Sequence, residues 1–245
     1  MELTVKKKRV TRIVICVLLA AAVLAGFVFW ARYIKKVKAY HVDPLKEEQL
    51  VEIGAKNCNK LMIVAHPDDE LLWGGAHLSE GGYLVVCITN GKNETRREEF
   101  KTVVEKSGNT PLILNYPDKV LGKRDDWTNV RDKIEDDISL IMNYKKWDFI
   151  VTHNPKGEYG HIHHIMTSES VTKLFDKLAP AQKLYYFGKY YKAVDLPSVK
   201  DKLTPISDKE LEFKESLSKY YESQKDTIEK LSHMMPYEEW TEYKA

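Results

Sequence analysis

Cysteine is scarce: Cys16, Cys58 and Cys87 are the only three among 245 residues, too few and too scattered for a disulfide framework or a thiolate metal site. Cys16 lies in an apolar run and Cys87 in a strand-like one, so they read as small buried hydrophobes. An excess of one charge is lacking too, since 38 Lys and Arg face 36 Asp and Glu and leave a net charge of +2. Beyond the N-terminal segment the two signs interleave, which gives no electrostatic footprint for nucleic acid. There is no internal repeat and no low-complexity tract. A glycine-rich phosphate loop is also missing: Gly74-Gly75 does not make a G-x-G-x-x-G pattern, which argues against a nucleotide-binding domain. With 43% apolar residues, the chain has material for one globular domain with a sizeable core.

What is present begins with a stretch free of charge. Residues 13–30, IVICVLLAAAVLAGFVFW, would span about 27 Å as a helix, just enough for a bilayer. Lys6, Lys7, Lys8, Arg9 and Arg12 flank one end and Arg32, Lys35, Lys36 and Lys38 the other, with Trp30 and Tyr33 as interfacial anchors. The run is long for a signal-peptide core, and bulky basic residues follow it where a cleavage site would need small ones. It is read as an uncleaved signal anchor of a single-pass membrane protein. The charge bias leans towards an extracytoplasmic or lumenal placement of the rest of the chain. Residues 1–12 are then a basic flank, 31–59 a juxtamembrane linker that over 35–59 reads alternatively as a short amphipathic helix, and 60–245 the globular domain with a helical tail.

Beyond the linker, strand and helix patterns alternate. Strands are expected at 61–66, 83–89, 111–116 and 148–153, with a further one at 184–191. Helices are expected at 70–81, 95–107, 128–144 and 161–178, and the tail from Ser207 reads as one or two amphipathic helices. This order predicts an α/β fold, a Rossmann-like and mostly parallel sheet flanked by helices.

In such a sheet ligands bind at the carboxyl ends of strands, and the chemistry of this chain gathers at two of those ends. IVAHPDDE, residues 63–70, runs a strand into a histidine, a turn-fixing proline and three acids. Imidazole and carboxylate donors suit zinc or a similar divalent ion, and a catalytic site wants a third protein ligand from elsewhere. DFIVTHNPKGEYGHIHH, residues 148–164, supplies Tyr159, His161, His163 and His164 after a second strand. His161 and His164 are spaced to share one face of a helical turn; His163 is expected to point away, into solvent or behind a ligand. Glu70 reads first as a first-turn acid favoured by the helix dipole and second as a partner orienting His66.

AHPDDE after a strand, followed by YGHxxH, resembles the PIG-L/LmbE-like family of zinc-dependent de-N-acetylases, which act on N-acetylglucosamine-type sugars. The resemblance covers roughly 60–178 and includes Thr89–Gly91, Arg96 with Glu99, and Ser107–Gly108. It implies that His66, Asp69 and His164 hold Zn2+, or another divalent metal, and that Asp68 is the general base. His161 would be a second acid/base or oxyanion-polarising group, and Tyr159 would close over the oxyanion. Arg96 is a candidate contact to a sugar hydroxyl or phosphate, against a solvated helix face, and Asn90 borders the pocket. The expected function is removal of the acetyl group from an N-acetylated amino sugar on a lipid-linked or envelope glycan. The alternatives are a zinc amidase acting on a soluble N-acyl amine and a catalytically silent glycan-binding protein.

Overall fold

The computed structural model describes residues 2–178 and 182–244; the side chains of residues 2–11, and with them the basic flank from Lys6 to Arg9, lie outside that description. The chain forms two compact units, one of the N-terminal helix to His41 with Lys119–Arg124, the other of residues 42–118 and 125 onward.

In the first unit, helix α1 (Glu2–Tyr40) continues through the charge-free run and past Trp30 without a break. Its apolar side chains, among them Leu18, Val23 and Phe29, are exposed. Within it, the 29 residues Arg12–Tyr40 are long and apolar enough to cross a membrane.

The second unit opens with α2 (Glu47–Glu52). The segment 31–59, read as a linker, divides: residues up to Tyr40 extend α1, while Val42, Leu45, Leu50, Ala55 and Cys58 are buried. The second half is built into the fold because the Leu45 N–H donates to Asp137 at 2.9 Å and its apolar residues find a core to enter.

The elements then follow as β1 (Lys60–Val64), α3 (Asp69–Leu78), β2 (Tyr83–Thr89), α4 (Glu94–Lys106) and β3 (Thr110–Tyr116). The short hairpin β4 (Lys119–Val120) and β5 (Lys123–Arg124) belongs to the first unit. After it come α5 (Arg131–Asn143), β6 (Phe149–Thr152), the single turn α6 (Gly157–Gly160), α7 (Ile162–Leu178), β7 (Lys183–Tyr186), α8 (Asp208–Ser218), α9 (Lys225–Leu231) and β8 (Thr241–Glu242).

The main sheet has the order β3-β2-β1-β6-β7-β8, parallel throughout except for the antiparallel β7–β8 pair. Every residue of β2 is buried, as a central parallel strand covered on both faces requires. The chain winds outward from β1 to β3 and resumes on the other side of β1 at β6, so the strand order reverses between β1 and β6. That reversal opens the crevice in which doubly wound sheets bind ligands. The strand expected over 184–191 stops at Tyr186. At Gly188 the chain passes so close to the backbone of Glu239 that a Cβ would lie 2.4 Å from its carbonyl oxygen.

Helix α3 carries Gly74 and Gly75 in mid-helix because its surroundings leave no room for side chains. A Cβ on Gly74 would meet Met62 Cε at 2.6 Å, and one on Gly75 would meet Lys214 Cγ at 2.8 Å. Lys214 is fully buried and donates to Glu238 Oε2 at 2.7 Å and to the carbonyls of Leu72 and Met235. Glu238 also accepts from the Ala76 and His77 amides. Burial opposes ionisation of Glu238, but Lys214 and His77 outweigh it and bring its carboxyl down to about 2. Removing one partner of such a pair strands the other charge, so Lys214→Met is expected to cost about 3–5 kcal/mol in denaturant unfolding. Because the folded carboxyl titrates below its usual value, the pair's contribution is complete above about pH 4.5 and fades as pH falls towards 2.

Candidate functional site

The two motifs meet where β1 and β6 end. The loop after β1 is pinned by its neighbours: Thr89 Oγ1 donates to the Ala65 carbonyl at 2.8 Å, and the Ala65 amide donates to His153 Nε2 at 3.0 Å. The chain then turns at Asp68, whose φ of 116° lies in the left-handed region that costs a non-glycine residue energy. Asp68 occupies the N-cap of α3, yet its side chain makes no capping bond. Its amide donates to Glu70 Oε2 at 3.1 Å, and the other Glu70 oxygen accepts from the Tyr221 hydroxyl at 2.5 Å. The carboxylate is buried, with Arg96 Nη2 at 3.5 Å from Oδ2.

Donor and acceptor accounting assigns the histidine tautomers. His163 Nε2 lies 2.7 Å from the Asp125 carbonyl, which can only accept, so the proton sits on Nε2 and Nδ1 is bare. His66 Nε2, 3.0 Å from that bare nitrogen, therefore donates, and His66 Nδ1 is left with its lone pair. On the other side, Glu158 Oε2 accepts from His164 Nδ1 at 2.5 Å and from His153 Nδ1 at 2.9 Å. His153 Nε2 already accepts from Ala65, which is consistent with that assignment. His164 Nε2 is thus bare as well, 3.3 Å from His66 Nδ1. Asp69 presents Oδ2 to His66 and Oδ1 to His164, each at 3.2 Å. In these neutral tautomers two imidazole lone pairs and a carboxylate converge on one place. Three such donors, each histidine oriented through its far nitrogen, could hold a divalent ion.

The electrostatics agree. Burial pushes His66 well below its usual value despite Asp69, which keeps it a neutral ligand. Burial also works against a charge on His164, but Asp69 and Glu158 reverse this and lift it to about 10, so without an ion a proton on Nε2 faces Asp69 Oδ1 and holds the place that a bound cation would take. Asp69 is held well below the carboxylate range because His164 and His153 overcome its burial. Asp68 moves the other way: burial and the adjacent Asp69 push it well up, with Arg96 partly offsetting them. Neighbouring aspartates thus diverge, one suited to ligation and one to taking a proton.

The structure brings His66, Asp69 and His164 together and sets His161 beside them, its ring centroid 4.6 Å from that of His66 and 4.5 Å from that of His164. Tyr159, 42% exposed, lies against His161 and His164. Arg96 also donates to the Pro67 carbonyl, and Asn90, at φ 70°, donates to Thr89 Oγ1 at 2.8 Å. Of the two places expected for His163, solvent or behind a ligand, the structure gives the second: it is fully buried, bonded to His66 and stacked on Trp127 at 4.3 Å. His161 and His164 do converge, though not on one helical turn, because His161 has extended backbone (φ −72°, ψ 122°) and α7 starts only at Ile162.

Two residues of the centre had no counterpart in the sequence reading. His153 was only the end of a strand, and Glu158 only a loop acid before YGH. Glu158 turns inward through a φ of 55°, a conformation no pattern announces; the one cue was an acid between two histidine-bearing stretches. Glu158→Gln replaces one acceptor oxygen by a donor facing imidazole N–H groups. It is expected to weaken metal affinity about 10–100-fold, as read by competition against a chromophoric zinc chelator.

Residues 61–175 match the family model for PIG-L, described as GlcNAc-PI de-N-acetylase. An uncharacterized protein of Acanthamoeba polyphaga mimivirus, L374, is 31% identical over 150 residues, a match covering 54% of this chain and 62% of that protein. The chain therefore spans just under two thirds of the length of the curated relative it matches. His66, Asp68, Asp69, His153, Glu158, His161 and His164 all fall inside the stretch that matches the PIG-L family model.

Proposed function

We propose that the protein is a metal-dependent de-N-acetylase that hydrolyses the acetamide of an N-acetylated amino sugar, with α1 tethering it to a membrane. The observation that carries this reading is the convergence of His66 Nδ1, His164 Nε2 and the Asp69 carboxylate, with contacts of 3.2–3.3 Å, beside a buried carboxylate of opposite electrostatic bias. His66, Asp69 and His164 would hold the ion, whose chemistry there is to acidify water and polarise the amide carbonyl.

The chain's own residues do the rest. Asp68 takes a proton from the attacking water as its oxygen bonds the acetyl carbon. His161 and Tyr159, at the margin of the cluster, face the developing oxyanion. The C–N bond breaks when the sugar nitrogen receives a proton from His161 or from Asp68, giving acetate and a free amine. Arg96 keeps a buried Nε–H without an acceptor among the described residues, which suits a sugar hydroxyl. Trp73, Tyr159 and Tyr190 form an aromatic wall with ring centroids 5.7–6.4 Å apart, a surface on which the apolar face of a sugar ring can rest. A tether raises the effective concentration of substrates held in the same membrane, which favours a lipid-linked sugar with the domain on the extracytoplasmic or lumenal side.

The test uses the full chain in detergent. Acetate release is followed from N-acetylglucosamine, a lipid-linked N-acetylglucosamine and simple N-acetyl amines, with zinc and then after chelation. Zinc-dependent release that is fastest on the lipid-linked sugar is expected. Faster release from simple amines would move the substrate class to soluble N-acyl amines, and zinc binding without any release would overturn the enzyme reading.

A further inference from the structure

We propose that the turn Tyr221–Ser223, outside the family-matched stretch, is the positioning device of the base, holding Asp68 through Glu70 on one side and Glu99 on the other. The inference rests on the reading of Asp68 as the base.

The first arm sets the backbone. Tyr221 is buried, and its hydroxyl fixes Glu70 Oε1 at 2.5 Å. Glu70, fully buried, turns its second oxygen to the Asp68 amide at 3.1 Å. A φ of 116° at Asp68 persists only where the surroundings over-determine it, and this amide bond is one of the determinants.

The second arm sets the side chain. Ser223 donates to the Glu99 carboxylate twice, from its amide at 2.7 Å and from Oγ at 2.5 Å. Glu99 stands three residues after Arg96 on α4, on the same helical face. Arg96 places its guanidinium 3.5 Å from Asp68 Oδ2 while also gripping the Pro67 carbonyl. Lys106 of α4 over the ring of Tyr220, at 5.0 Å, ties the helix to the start of the same turn. One turn, more than 120 residues along the chain from either glutamate, thereby fixes both the amide and the counter-charge of the base.

The experiment compares Tyr221→Phe, Ser223→Ala and the double variant with Tyr116→Phe in the full-length protein. Tyr116 serves as the control because it too is a buried tyrosine whose hydroxyl bonds a carboxylate, Asp137 at 2.7 Å, outside the catalytic cluster. Tyr221→Phe is expected to lower kcat about 10- to 100-fold with KM and zinc stoichiometry unchanged, and the double variant to lower it further. Tyr116→Phe is expected to shift Tm with kcat intact. Hydrogen exchange of the Asp68 amide, measured without substrate, is expected to quicken in Tyr221→Phe and not in Tyr116→Phe. Unchanged kcat and unchanged exchange in Tyr221→Phe, or an equal kcat loss in Tyr116→Phe, would overturn the proposal. A wild type that releases no acetate from any substrate counts against the functional reading instead, and the exchange measurement then decides this one alone.

Discussion

Asp68→Asn is expected to lower kcat about 10²–10⁴-fold, the usual contribution of a positioned general base, while zinc content stays at the wild-type level. Asparagine is nearly isosteric, keeps the amide bond to Glu70 Oε2, and tolerates the left-handed backbone at this position better than most residues. What it removes is the ability to accept a proton from water in a site where burial and Asp69 have raised the carboxyl's proton affinity. Zinc content and acetate release, measured on the same preparation, separate the two effects. A variant that keeps most of its rate with zinc bound would transfer the role of base to His161.

His164→Ala has the second large effect, and a different signature. The substitution takes away one of three donors, and three protein ligands are the number a catalytic zinc site uses. It also leaves Glu158 without one of its two imidazole partners and opens the space where His164 stacks on His153 at 3.9 Å. The expected result is loss of zinc on gel filtration, acetate release at background, and no recovery in added zinc near neutral pH. Zinc retained at one equivalent would mean that the donor set lies elsewhere, with His161 and His163 beside His66 as the next grouping to examine.

How much of this was legible beforehand differed by element. The alternation of β-branched runs with helical periods placed β1, β2, β3 and β6 to within a residue or two, because central strands buried on both faces carry the plainest signal, while the strand expected over 184–191 ran five residues past Tyr186. The ligand candidates stood out as chemistry at strand ends. Spacing left His163 between solvent and a place behind a ligand, and only packing decides that it is buried behind His66. Glu158 and His153 were missed because their importance lies in which way a loop carboxylate turns. The link from Tyr221 to Glu70 spans 151 residues and rests on packing alone. Residues 42–59 read as linker because their buried side chains, such as Leu45 and Leu50, are too sparse to form a pattern.

The strand β8 has a consequence for the handling of the protein. It is two residues long, yet it pairs Glu242 and Thr241 with Tyr185 and Tyr186 and so occupies the outer hydrogen-bonding rim of β7. A chain ending at Trp240 would keep Glu238 on Lys214 and bare that rim, a short tyrosine-bearing strand with unpaired amides and carbonyls. Such rims recruit other copies of the same chain. Truncation of the last five residues should therefore show itself as concentration-dependent self-association of the folded domain, visible by light scattering.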